Sequence, residues 1–233
     1  MSAVAGMMAL TGSLSGAGDV PLTLTFLGGA NFNQTNALSN KSFSALSGGN
    51  PAPTDPFYLI GVVGAENITT SMTFTISGLT LTSHAERIQT DKSYVHFMGT
   101  TTTLTSLPST YSITVNSTKT ARSAVAWYAI TGASSASPAT TGGATATTAS
   151  GPTHSVSVNA GDLVITAVAH ENDQTLVVRH DNVDVTDARY SPNTTNAVAF
   201  GSSVPTSAGT LAANATGPAA ETGQVAIATA VYR

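Results

Sequence analysis

The stretch from Arg122 to Thr131 constrains the fold more than any other part of the chain. It reads Arg-Ser-Ala-Val-Ala-Trp-Tyr-Ala-Ile-Thr and holds the only tryptophan of the protein. As a strand it is apolar on both sides. Val125, Trp127 and Ala129 point one way, and Ala124, Ala126, Tyr128 and Ile130 the other, because successive strand side chains alternate between faces. Such a strand cannot turn one face to water. It belongs inside a sheet that is covered on both sides. Two further segments repeat the theme. In Gln224 to Tyr232, Val225, Ile227 and Val231 share one face while Ala226, Ala228 and Ala230 share the other. Leu163 and Ile165 run likewise into Ala167 and Ala169. The bulky sides suit the core of a sandwich. The alanine-rich sides suit close packing against a further layer, formed by the connections of the same chain or by another copy of it. Ala124, Ala126, Ala226 and Ala228 are therefore candidate interface residues.

The rest of the chain supplies strands and turns. Leu22, Leu24 and Phe26 alternate in a first strand, and Phe57 to Gly64 is again apolar on both faces. In Met72 to Leu81 the apolar phase changes after Gly78. A two-residue turn at Ser77-Gly78 would place Ile76 opposite Leu79 and Phe74 opposite Leu81. Tyr94 to Met98 and Tyr111 to Val115 are short strands. Gly132 to Pro152 is rich in Ala, Ser, Thr and Gly, a long connection with one edge strand near Thr140 to Thr148. His154 to Val158 and Asp162 to His170 flank a turn at Asn159-Ala160-Gly161, and Leu176 to Val185 turns at Asp181-Asn182. Ala197 to Phe200, Thr210 to Ala215 and Gln224 to Tyr232 complete the set. This spacing, almost without helical periodicity, predicts an all-β antiparallel sandwich. We read residues 1–20 as an N-terminal arm and 21–233 as a single sandwich domain. Met7, Met8 and Leu10 give the arm adaptable apolar contacts for docking on a neighbour.

Composition narrows the function. Charged residues make up 9% of the 233 positions, against roughly a quarter in an average chain. Eight scattered Lys and Arg residues form no basic stripe, which argues against nucleic-acid binding. There is no cysteine, so neither a disulfide framework nor a thiolate metal site can form. No apolar run has the length of a membrane span, and the first residues lack the pattern of a signal peptide. Hydrolase elbows, phosphate loops, dinucleotide fingerprints and paired zinc histidines are missing from the sequence. We expect no enzyme activity and no cofactor.

The order of segments resembles a known group. Phe74 to Leu81 is followed by Thr110 to Val115, then by Ala-Val-Ala-Trp-Tyr-Ala-Ile-Thr-Gly (Ala124 to Gly132). Val156 to Ala167 comes next, and Val-Ala-Ile-Ala-Thr-Ala-Val-Tyr-Arg closes the chain. This is similar to the jelly-roll virion proteins of tailed bacteriophages and gene-transfer-agent particles, over Phe57 to Arg233. The resemblance implies a jelly roll and a role as head decoration, head fibre or tail-associated protein in the virion. The virion role makes the major capsid protein or another virion protein a partner, and the alanine-rich faces add further copies of the chain, with a trimer as first expectation. A tail or fibre adhesin that binds host surface glycans is the alternative, with Tyr94, Tyr111 or Tyr190 as stacking residues.

Two charged clusters remain. One runs from His170 to Arg189, where Glu171, Asp173, Asp181 and Asp184 are candidate calcium ligands, weighed against plain loop salt bridges. His170 and His180 are the histidines expected to meet. The second comprises His84, Glu86, Arg87, Asp91, Lys92 and His96. Glu86 and Asp91 could be imagined as a glycosidase pair, against an exposed-loop reading.

Overall fold

A computed structural model describes residues 20–33, 39–43, 49–66, 73–76, 79–89, 93–108, 111–115, 122–146, 152–171, 176–190, 196–216 and 224–233. Everything helical is missing among these residues, and every strand pair is antiparallel, as the spacing predicts.

Eight strands form the first half: β1 (Thr23–Asn33), β2 (Ser39–Phe43), β3 (Phe57–Glu66), β4 (Thr73–Ile76), β5 (Leu81–Gln89), β6 (Ser93–Thr100), β7 (Tyr111–Val115) and β8 (Arg122–Thr131). The second half holds β9 (Thr140–Ala146), β10 (Thr153–Val158), β11 (Leu163–Glu171), β12 (Val177–His180), β13 (Val183–Asp184), β14 (Thr186–Tyr190), β15 (Asn196–Ser203), β16 (Gly209–Thr216) and β17 (Val225–Tyr232). The first half makes sheets ordered β1-β8-β3-β6-β5 and β2-β7-β4, and the second β14-β15-β11-β17-β9 and β10-β16-β12-β13. Among the described residues, no strand of one half hydrogen-bonds a strand of the other.

The two halves follow one plan. With β13 and β14 taken together as the counterpart of β5, the sheet orders match strand for strand. The registers match as well. Across the first five-stranded sheet a row of neighbours runs Gly29, Ala126, Val62, Phe97, Ala85. Across the second it runs Gly143, Ala228, Ala167, Phe200, Ala188. Gly28-Gly29-Ala30 corresponds to Gly142-Gly143-Ala144. Even a register irregularity recurs, between Ser83 and Ala85 on β5 and between Thr186 and Ala188 on β14. The chain read as one sandwich over 21–233 thus carries the same strand plan twice.

The halves meet through their five-stranded sheets. Ala124, Ala126, Tyr128, Ile60, Val62 and Phe97 from one pack with Ala226, Ala228, Ala167, Ile165 and Phe200 from the other in one buried cluster. The alanine faces cover each other within one chain. Ala124, Ala126, Ala226 and Ala228 are each 0% exposed, so none is open to a second copy. That corrects the expectation of a homo-oligomeric interface at these residues, while the contrast between bulky and small faces holds. Val125 and Trp127 lie on the opposite face of β8 with Leu59, Val63 and Tyr94. Val225, Ile227 and Val231 pack toward Val156, Val178 and Leu211 of the four-stranded sheet.

The meeting of the halves is pseudo-symmetric. A Cβ at Gly29 would stand 2.6 Å from the Tyr190 hydroxyl, and one at the matching Gly143 would stand 2.5 Å from Arg87 Nε. Tyr190 and Arg87 occupy matching places on β14 and β5, two residues beyond Ala188 and Ala85. Each half therefore lends a glycine to receive the same strand of the other, the reciprocity of an isologous dimer inside one chain.

Several local expectations are met. β9 is an edge strand within the predicted Thr140 to Thr148. β12 and β13 turn at Asp181 and Asn182, both at positive φ (50° and 68°), as a tight hairpin requires. The Ser77-Gly78 turn, Met7, Met8 and Leu10 lie outside the described residues. β4 pairs with β7 and β5 with β6, so these two strands enter different sheets instead of forming the expected hairpin.

Candidate functional site

The polar chemistry of the second half converges between its sheets. His154 on β10 bonds through Nε2 to Thr229 Oγ1 (2.9 Å), and Thr229 bonds Thr166 (2.7 Å). Thr166 bonds His180 Nε2 (2.8 Å), and His180 Nδ1 bonds Ser203 Oγ (2.5 Å). The chain crosses from β10 through β17 and β11 to β12 and β15. Its origin is visible by comparison with the first half. Thr166 and Thr229 are cross-strand partners, and Gly61 and Trp127 occupy the matching register. There the indole lies over the glycine, where a Cβ would stand 2.5 Å from its ring. One half fills this place with a large ring over no side chain. The other fills it with two hydroxyls, which need partners once buried, and two imidazoles supply them.

Burial holds these imidazoles neutral. His180 is pushed down to about 4 by burial first, against the Asp181 carboxylate, with His154 adding to the fall. His154 is lowered to about 4 by burial and then by Arg87.

This polar chain ends at a cavity of about 570 Å³. His180, Ser203, Val158 and Leu211 line it, with Val183, Val204 and Thr210 among the other lining residues. Val183 and Val204 are 64% and 53% exposed.

The first half carries its own polar chain on β5 and β6. Tyr94 donates to Glu86 Oε1 (2.8 Å), His96 Nδ1 meets the Tyr94 hydroxyl (2.8 Å), and His96 Nε2 meets Ser83 Oγ (2.8 Å). A consistent assignment runs Ser83 to His96 to Tyr94 to Glu86, each donating to the next. His96 is 4% exposed, so the arrangement satisfies both nitrogens of a buried ring. Glu86 stands opposite His96 in this pairing, and Asp91 lies outside the described residues.

Two side chains at the register irregularities tie the halves together. His84 Nδ1 meets the Tyr232 hydroxyl (3.0 Å), and Asp187 accepts from the Tyr128 hydroxyl (2.9 Å). His84 and Asp187 occupy matching places, and each reaches a tyrosine of the opposite half. Burial, then His96, lowers His84 to about 4. Burial raises Asp187 above the usual carboxylate range, against hydrogen bonds from Ser202 and Tyr128.

The candidate calcium ligands serve turns. Asp181 Oδ1 accepts the Ala212 N–H (2.9 Å), and Asp184 Oδ1 accepts the Thr186 N–H (3.0 Å). Hydrogen bonds from Thr186 hold the exposed Asp184 below its ordinary value. Asp173 and the side chain of Glu171 lie outside the described residues. His170 and His180 are not brought together. His180 bonds Thr166, four residues along β11 from His170, which is about 13 Å at strand rise. The sequence reading missed His154 as the partner, although its alternation with Val156 and Val158 was a usable signal. Of the proposed stacking tyrosines, Tyr94 is fully buried and Tyr190 packs edge-on against Phe200. Tyr111 has no described side chain.

No protein-family model, curated protein or solved structure matches the chain.

Proposed function

We propose that the chain is a non-enzymatic structural protein of a bacteriophage virion, a capsid decoration or head-fibre protein, built as two jelly rolls in tandem. The strand succession carries the reading. In each half the first, eighth, third and sixth strands are neighbours in one sheet, and the second, seventh and fourth in the other. That order supports reading each half as a double Greek key of jelly-roll type. The two rolls are joined over a closed apolar face, which suits a stiff, low-charge block on a particle surface. The segment resemblance to jelly-roll virion proteins supplies the particle. Histidine and carboxylate chemistry is spent here on joining layers: His84, His154, His180 and Asp187 all bond across sheets.

Residues 1–20 serve as the arm that binds the major capsid protein or another virion protein. Copies of the chain, three in the first instance, associate through a surface other than the alanine faces. Deleting Met1 to Gly18 is expected to abolish attachment to the particle while the truncated chain keeps its melting temperature. Attachment undiminished by that deletion would overturn the anchor. Mass determination in solution with cryo-microscopy of the particle measures copy number and location. A host-glycan adhesin is the second reading, favoured by the cavity at the end of the second roll.

A further inference from the structure

The matching ends of the two rolls are finished differently. In the first, the connection between β6 and β7 spans residues 101–110. It folds back so that Leu104 exchanges two backbone hydrogen bonds with Phe57 (2.7 and 2.9 Å). Leu104 and Leu107 then pack onto the core face. In the second roll, the connection between β15 and β16 is half as long, residues 204–208. Its Pro205 carbonyl accepts the Gly161 N–H (2.8 Å), and it holds no leucine. The cavity of about 570 Å³ opens there. Among the described residues only three large hydrophobic side chains are exposed, and two of them, Val183 and Val204, line this one opening. The short connection and the β12–β13 hairpin together border this opening.

We propose that this open end binds a small uncharged sugar ring, a monosaccharide or the terminal unit of a neutral glycan. The lining selects that class. Its volume lies within the range of small-molecule sites, about 300–1,000 Å³. Among the described residues no Lys or Arg lines it, and Asp181 puts a carboxylate beside it, which disfavours anionic ligands. That carboxylate is already engaged by the Ala212 N–H, so it is poorly placed to hold a cation. Ser203 Oγ, bonded to His180, keeps further hydrogen-bonding capacity for a ligand hydroxyl, as do Thr206, Ser207 and Thr210 on the lining. Val183 and Val204 offer the aliphatic surface on which a C–H face can lie. A wholly apolar ligand would leave the hydroxyls unpaired, which costs affinity. The inference deepens the adhesin reading, which rests on the same cavity, and is independent of the capsid-decoration reading.

Saturation-transfer NMR on the full chain tests it, with glucose, galactose, mannose and N-acetylglucosamine at millimolar concentration and N-acetylneuraminic acid as the anionic comparison. At least one neutral sugar is expected to show transfer, with the anionic sugar weaker. Val204→Trp, at the exposed mouth, is expected to reduce the signal at least tenfold at an unchanged melting temperature. If that variant loses stability, Ala208→Trp, at an exposed residue lining the same cavity, replaces it. Absence of transfer from all four neutral sugars, equal transfer from the anionic one, or a signal indifferent to the blocking variant would each overturn the site. None of these outcomes bears on particle attachment.

Discussion

At the residue scale, the layers are held by a few side chains whose neighbours leave no slack. Trp127 is fully buried over Gly61, so Trp127→Ala empties a large volume, and about 3–5 kcal/mol of stability is expected to go. Chemical denaturation measures this directly. Ala126→Glu acts differently. It drives a carboxylate between the two halves, and burying an unpaired charge is costly enough that the variant should fail to fold as a soluble chain. Expression of soluble Ala126→Glu at the wild-type melting temperature would contradict the closed interface. The buried histidines predict an acid-sensitive fold. His84, His154 and His180 are lowered to about 4 from an ordinary 6.5. Below 6.5 the unfolded chain takes up protons that the folded chain refuses, so stability present at neutral pH drains away between about 6.5 and 4. The loss is on the order of 3 kcal/mol for the buried His180 and smaller for the half-buried His84 and His154. Melts from pH 4 to pH 8 should show it, and His180→Asn should flatten the curve.

At the element scale, β5 and β14 are the informative strands. Each carries a register irregularity that turns one polar side chain toward the opposite half, His84 in one and Asp187 in the other. Such irregularities re-aim a side chain where a regular strand could not. Tyr128→Phe leaves Asp187 without its phenol donor and is expected to cost about 1–3 kcal/mol. Tyr232→Phe removes the hydroxyl that meets Nδ1 of the half-buried His84 and should cost less. Because the two ties sit at different places in the interface, the double variant should lose about the sum of the single losses, measured by denaturant titration.

At the scale of the whole molecule, the halves depend on each other. Their shared cluster takes the inward faces of β8, β3 and β6 from one and of β17, β11 and β15 from the other. Either half alone would expose a broad apolar face, the kind of patch that drives association. Separate expression of residues 20–132 and 133–233 is therefore expected to give insoluble material, and co-expression a soluble complex. The intact chain should unfold in one transition. Two resolved transitions in calorimetry would show the halves to be independent.

The sequence by itself determined the strand character, the antiparallel class and the two kinds of face on β8 and β17, because alternation and residue size are local properties. It also determined the Asp181-Asn182 hairpin, since those residue types tolerate positive φ. What covered the alanine faces was decided only by tertiary structure. Small apolar faces pack as well on a second sheet of the same chain as on a second chain, and nothing in residues 122–131 distinguishes the two. The doubling was also hidden. Val95 and Phe97 recur as Val198 and Phe200, and Gly28-Gly29-Ala30 as Gly142-Gly143-Ala144, but they are scattered among unlike residues. Only the hydrogen-bonded register aligns them into the same row. The candidate site was least legible of all. His154, Thr166, His180, Ser203 and Thr229 come from five strands, and the buried hydroxyls that call for the imidazoles become neighbours only once the sheets are stacked.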